Sequence, residues 1–185
     1  MKRRVAAFLL LGVLGARGAF VFPQESGKPA ASSGKITFTG AVGTGGTEIV
    51  VPMTLVPGPQ ADVKELALEF SFPDSKISLL KSELAYEATR AGAEAKVEQN
   101  GAGRVAVRIA VPKEREGTLP EGQIAYFTFK ISHDAAAGDF AIGVRNVEMK
   151  DPEGKPLDTV REAEILVNVV SSKLFPMISC IFYMH

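Results

Sequence analysis

The chain has 185 residues, and its 21 Lys plus Arg equal its 21 Asp plus Glu, so no net field draws in nucleic acid or an anionic membrane. Its one cysteine, Cys180, excludes an intrachain disulfide, and the lack of tryptophan removes a favoured builder of flat sugar platforms. This length suits one domain that buries roughly two-thirds of its unfolded surface, enough for a core without staples.

Residues 1–18 have the parts of a secretory signal peptide. Lys2, Arg3 and Arg4 are the basic start, Val5 to Leu14 the apolar run, and Ala16-Arg17-Gly18 a small-x-small cleavage pattern. The run is too short to span a bilayer. The expected mature protein is secreted, periplasmic or held at the cell surface. Residues 19–34, rich in Pro, Ser, Gly and Ala, read as a linker.

Residues 35–170 read as one domain of short strands. Lys35–Val42 opens it, and Gly43–Gly46 is a turn. Thr47–Leu55 alternates with Ile49, Val51, Met53 and Leu55 inward; Pro52, on the outward parity, implies an edge or a bulge. Val63–Phe72 places Leu66, Leu68, Phe70 and Phe72 inward, and Ile77–Leu80 is a brief apolar run. Ser82–Ala95 suits a short helix or a loop equally. Gln99-Asn100-Gly101 signals a hairpin between Ala95–Glu98 and Arg104–Val111, the latter with Val105, Val107, Ile109 and Val111 inward.

A charged connection follows, from Pro112 to Gly122. The strand after it turns Ala125, Phe127, Phe129 and Ile131 inward, with Tyr126, Thr128 and Lys130 outward. A Ser-His-Asp turn leads to Phe140, Ile142 and Val144, and a second turn-rich excursion begins at Asp151. Ile165, Val167 and Val169 close the domain on a last inward set. The sum is an all-β, antiparallel sandwich of about nine strands, with Phe127 and Phe129 at its centre. Residues 171–185 form an apolar tail interrupted by Pro176, too short to span a membrane.

Four segments together resemble a bacterial cohesin module. They are GGTEIVVPMTLVP (Gly45–Pro57), VKELALEFSFPDSKISLLKSEL (Val63–Leu84), GRVAVRIAVP (Gly103–Pro112) and the stretch from Leu119 to Leu157 containing IAYFTFKI, AAAGDF and DPEG. The resemblance covers residues 35–170. It implies a jelly-roll sandwich, related in fold to certain carbohydrate-binding modules, that receives a dockerin module and so docks enzymes onto scaffolds degrading polysaccharides. It also implies that any calcium sits on the dockerin. This chain itself has no calcium loop of the D-x-[DN]-x-[DN]-G kind. Where cohesins offer outward Asn and Asp on the third strand, this chain has Glu65 and Ala67. Where they often end a strand in Phe-Ala-Asp, it has Ile109-Ala110-Val111-Pro112.

Catalysis has little to build on. His133 lies in a turn and His185 at the terminus, so no Ser-His-Asp or Cys-His set forms, and no enzyme is expected. Asp151, Glu153 and Asp158 lack regular calcium-ligand spacing, so no metal site or cofactor is expected. Glycan binding rests on Tyr86 and Tyr126 alone among the domain's tyrosines and tryptophans. A protein-binding face fits better. Outward parity on the strands aligned with one cohesin sheet gives Glu65, Ala67, Glu69 and Ser71, then Arg104, Ala106, Arg108 and Ala110, then Ala141, Gly143 and Arg145. Small residues keep such a face flat, and charges of both signs set a partner's register. The residues put forward as contacts are Glu65, Ala67, Glu69, Arg104, Arg108, Ala110 and Arg145. The alternative for these residues is an ordinary solvated sheet face with cross-strand Glu–Arg pairs. For the whole chain, a carbohydrate-binding module and a structural spacer of an envelope protein are the competing readings.

Overall fold

The computed structural model describes residues 33–59, 61–159 and 162–171. The expected signal peptide (residues 1–18), the expected linker up to residue 32 and the tail from residue 172, with Cys180 and His185, lie outside the described residues.

The described residues form eleven strands and one short helix: β1 (Ser33–Phe38), β2 (Ala41–Thr44), β3 (Glu48–Val56), β4 (Glu65–Ser71), β5 (Ile77–Leu84), α1 (Tyr86–Arg90), β6 (Glu94–Gln99), β7 (Arg104–Ala110), β8 (Gly122–Ile131), β9 (Gly138–Lys150), β10 (Pro156–Thr159) and β11 (Ala163–Val170). One layer runs β5–β8–β3–β1. The other runs β6–β7–β4–β9, with β11 and β10 on the far side of β9 and β2 on β11. A short parallel pairing of β1 with β10 joins the layers, so the sheet rolls over on itself as a jelly-roll sandwich. Two strands beyond the expected nine come from β10 and from a break in the opening segment.

That break falls at Thr39-Gly40. β1 stays beside β3, while β2 crosses to run parallel to β11 in the other layer. Gly40 permits the crossing, because a side chain there would come within 3.0 Å of the Leu166 carbonyl. The segment Ser82–Ala95 divides among the end of β5, α1 and the start of β6. The helix buries Ala88 where β5 and β6, the two free ends of the rolled sheet, come together.

Between the layers sits a phenylalanine cluster. Phe70 of β4 meets Phe127 and Phe129 of β8 edge to face, at 4.7 and 5.7 Å between centroids, and Phe38 of β1 at 5.9 Å. Phe70, Phe127 and Phe129 are fully buried. Edge-to-face contacts set the negative ring face against a positive edge, adding to the area buried. The inward sets expected on β3, β4, β7, β8 and β11 are buried or, at Phe72, partly buried against this core.

Thr128, Ile124 and a stretch of β9 depart from a strict alternation, and Pro52 needs a local accommodation. Pro52 keeps its outward parity on an interior strand, but it lies beyond the last β1 pair (Phe38 with Met53), so on that side it is locally an edge position. The register shift between Met53 and Thr54 places its extra residue, Ile124, in β8. Thr128, expected outward and exposed, is only 3% exposed. It stands between Val50 of β3 and Lys81 of β5 on an interior strand, where longer neighbours surround its short side chain. In β9 the alternation changes phase. Ile142 and Val144 are buried, Arg145 and Asn146 are both exposed, and Val147 and Met149 are buried. Asn146 has a φ of 52°, and three residues of β9 span two of β4 there: a β-bulge.

Candidate protein-binding face

The residues proposed as contacts converge on the outer face of β6–β7–β4–β9. Register orders them into cross-strand rows. Glu94, Ala110, Glu65 and Lys150 form one row; Lys96, Arg108, Ala67 and Glu148 the next; Glu98, Ala106, Glu69 and Arg145 the third. Arg104 and Ser71 pair beyond them, with Gly143 opposite Ser71 on β9. Alternation on β4 and β7 puts these side chains opposite Leu66, Leu68, Phe70, Val105, Val107 and Ile109, which are buried. The core thus fixes which residues the face presents.

A groove of about 380 Å³ runs through the middle of this face. Ala67 and Ala106 line it together with Lys96, Glu98, Glu69 and Arg108, and Asn146 contributes from the bulge. Lys96, Glu98, Asn146, Glu148 and Lys150 were not among the residues singled out from sequence. A signal for β6 was present: the Asn100-Gly101 turn sets β6 against β7, which places Lys96 opposite Arg108 and Glu98 opposite Ala106. No comparable signal marked Asn146.

Glu65 is held from two sides. Lys150 Nζ donates to Oε1 at 2.9 Å, and Arg108 Nη2 donates to Oε2. The Glu65 side chain is 17% exposed. Its burial alone would raise the carboxyl pKa, but the hydrogen bonds from Lys150 and Arg108, with their charges, outweigh that and hold it below the ordinary value. Among the described residues Glu69, Arg104, Lys96 and Arg145 make no ion pair, so their charges face solvent. The face therefore divides into a locked corner at Glu65 and an open set of both signs around the groove.

The other candidates stay apart from this face. His133 is exposed in its turn, its ring packed on Gly46, where an added Cβ would collide with it and where a φ of 83° already favours glycine. The Asp151 carboxylate accepts from the Lys155 amide at 2.8 Å, and Glu153 lies 3.9 Å from the Lys155 ammonium, so both serve the β9–β10 turn. Tyr126 Oη donates to Gln123 Oε1 at 2.9 Å on the outer face of the other layer, and Tyr86 stands exposed at the start of α1. No described helix is long and apolar enough to cross a membrane.

The architecture is the cohesin fold. Among solved structures similar to this chain is a cohesin of Acetivibrio cellulolyticus, solved with a dockerin: TM-score 0.63, 16% identity, 74% of this chain aligned with 99% of that one. A cohesin of Clostridium acetobutylicum gives a TM-score of 0.61 at 21% identity, over 76% of this chain and 92% of that one. A non-cellulosomal cohesin from the hyperthermophilic archaeon Archaeoglobus fulgidus gives 0.57 at 19%, over 74% and 92%. No protein-family model and no curated protein sequence matches the chain. At these identities the likeness is one of fold.

Proposed function

We propose that this chain is an exported, non-catalytic recognition module whose β6–β7–β4–β9 face receives a protein partner of the dockerin type, in extracellular polysaccharide breakdown or surface assembly. The groove carries this reading: alanines line it, and unpaired charges of both signs stand beside it on a face held rigid by the phenylalanine core. Such a surface admits close approach of a helical partner and sets its register by charge. The cohesin fold supports the choice of partner class, since solved neighbours of that fold are complexes with dockerins. Any calcium belongs to the partner. Glu65 and Ala67 replace the Asn and Asp of cohesin third strands, so the fitting dockerin presents a matching contact surface of its own.

The test is a binding panel with the intact chain: dockerin modules with and without calcium, beside soluble and insoluble polysaccharides. Calcium-dependent capture of a dockerin is the expected result. Retention on polysaccharide without any dockerin binding would replace this reading with a carbohydrate-binding module. Silence on both arms would favour a structural spacer.

A further inference from the structure

β6 ends its layer with one side of its backbone unpaired: among the described strands it bonds only β7, and where it comes near β5, the other free end, no ladder joins them. All six of its residues are exposed, and Val97, on the parity that faces the core, is 46% exposed. The direction of its backbone groups follows from the hairpin. The Asn100 amide donates to the Arg104 carbonyl at 3.0 Å, so that pair is hydrogen-bonded. Alternation then makes 98–106, 96–108 and 94–110 hydrogen-bonded pairs, with their amides and carbonyls turned to β7. Those of Ala95, Val97 and Gln99 point the other way, off the free edge.

We propose that this edge pairs antiparallel with β6 of a second copy of the chain, about a two-fold axis at Val97. In that register Val97 meets Val97, and Ala95 meets Gln99 at both ends. These are the residues whose backbone groups face outward, so three hydrogen-bonded pairs form. Between them Lys96 stands opposite Glu98 of the second copy, twice, in the non-hydrogen-bonded pairs, where side chains approach most closely. The register is specific. A slip of two residues is the smallest that keeps the backbone groups facing. One way it sets Lys96 against Lys96 and Glu94 against Glu98; the other way it sets Glu98 against Glu98. Like charges directly opposite are destabilising. Charge that commonly guards a strand edge here selects a single pairing instead.

The contact is small, so association is weak and appears at high concentration. It stands independently of the dockerin reading, because its test contains no partner, although Lys96 and Glu98 serve both surfaces. Sedimentation velocity of the full chain from about 20 μM to about 1 mM, a range suited to a small interface, is expected to show a monomer–dimer equilibrium. Lys96→Glu places Glu opposite Glu and abolishes the dimer. Adding Glu98→Lys restores opposite charges in the same register and restores the dimer. Thermal melts confirm that each variant is folded, as expected for exposed positions. A wild-type chain that stays monomeric throughout overturns the proposal. So does a dimer that survives Lys96→Glu unchanged, or a charge swap that fails to recover it.

Discussion

Phe129 and Thr128 are neighbours on β8, one facing the core and one the outer surface, yet the structure brings their environments closer than strict alternation implies. Phe129→Ala removes a fully buried ring that touches both Phe70 and Phe72, at an expected cost of about 3–5 kcal/mol. Thr128→Ala, at a position 3% exposed, is expected to cost about 1 kcal/mol, above a surface change and well below the ring. Urea melts of the two variants test the ordering, and equal losses would mean a register wrong by one residue. Glu65 adds a dependence on pH. Its folded pKa is lowered, so its contribution is complete above the ordinary value of 4.5 and is lost as pH falls through the folded value. Arg108 is largely exposed, which limits the contribution to about 1 kcal/mol or less. Glu65→Gln should lower stability at pH 7 and flatten the fall in stability under acid; an unchanged acid limb in pH-resolved melts would contradict the assignment.

Strands with a strict two-residue period were legible because burial enforces that period: β3, β4, β7 and β8 sit inside their layers, and every inward position meets the core. β6 was legible mainly through its turn, since an edge strand exposed along its whole length carries only a short alternation, Ala95 and Val97 between Glu94, Lys96 and Glu98. The β9 bulge was hidden for another reason. It uses Asn146 in a left-handed conformation instead of a glycine, so the only mark of a break in RNVEM is an asparagine, a residue tolerant of positive φ but also common in ordinary turns and loops. Without the bulge, the phase set by Ile142 and Val144 would turn Val147 and Met149 to solvent. Asn146→Gly should therefore be tolerated within about 1 kcal/mol, whereas Asn146→Val should cost more, because a β-branched residue resists positive φ. Deleting Asn146 should cost the most. Chemical denaturation of the three variants checks that order, and a deletion that melts like wild type would remove the bulge from the account.

At the scale of the molecule, rolling one sheet into two layers creates a face that no single strand specifies. The candidate contacts were legible as parities on separate strands, and the sheet order makes them one surface with a groove. Cross-strand Glu–Arg pairing was legible as a possibility, but which partners meet was not, because Glu65 and Arg108 are 43 residues apart in sequence and Glu65 and Lys150 are 85 apart. Those pairs also decide how the face is best tested. Reversing Arg108 would leave Glu65 short of a partner and disturb stability, so a clean test works on the open part of the groove. Ala106→Arg fills it, and Arg145→Glu reverses a charge that makes no ion pair among the described residues. Neither position lies on β6, so the self-association edge stays intact. The deciding measurement is calorimetric titration of a dockerin captured by the wild-type chain against this double variant, with melting temperatures recorded alongside. A loss of binding of at least tenfold, about 1.4 kcal/mol, with an unchanged melting temperature is the predicted result. Undiminished binding by a folded double variant would place the partner elsewhere on the molecule.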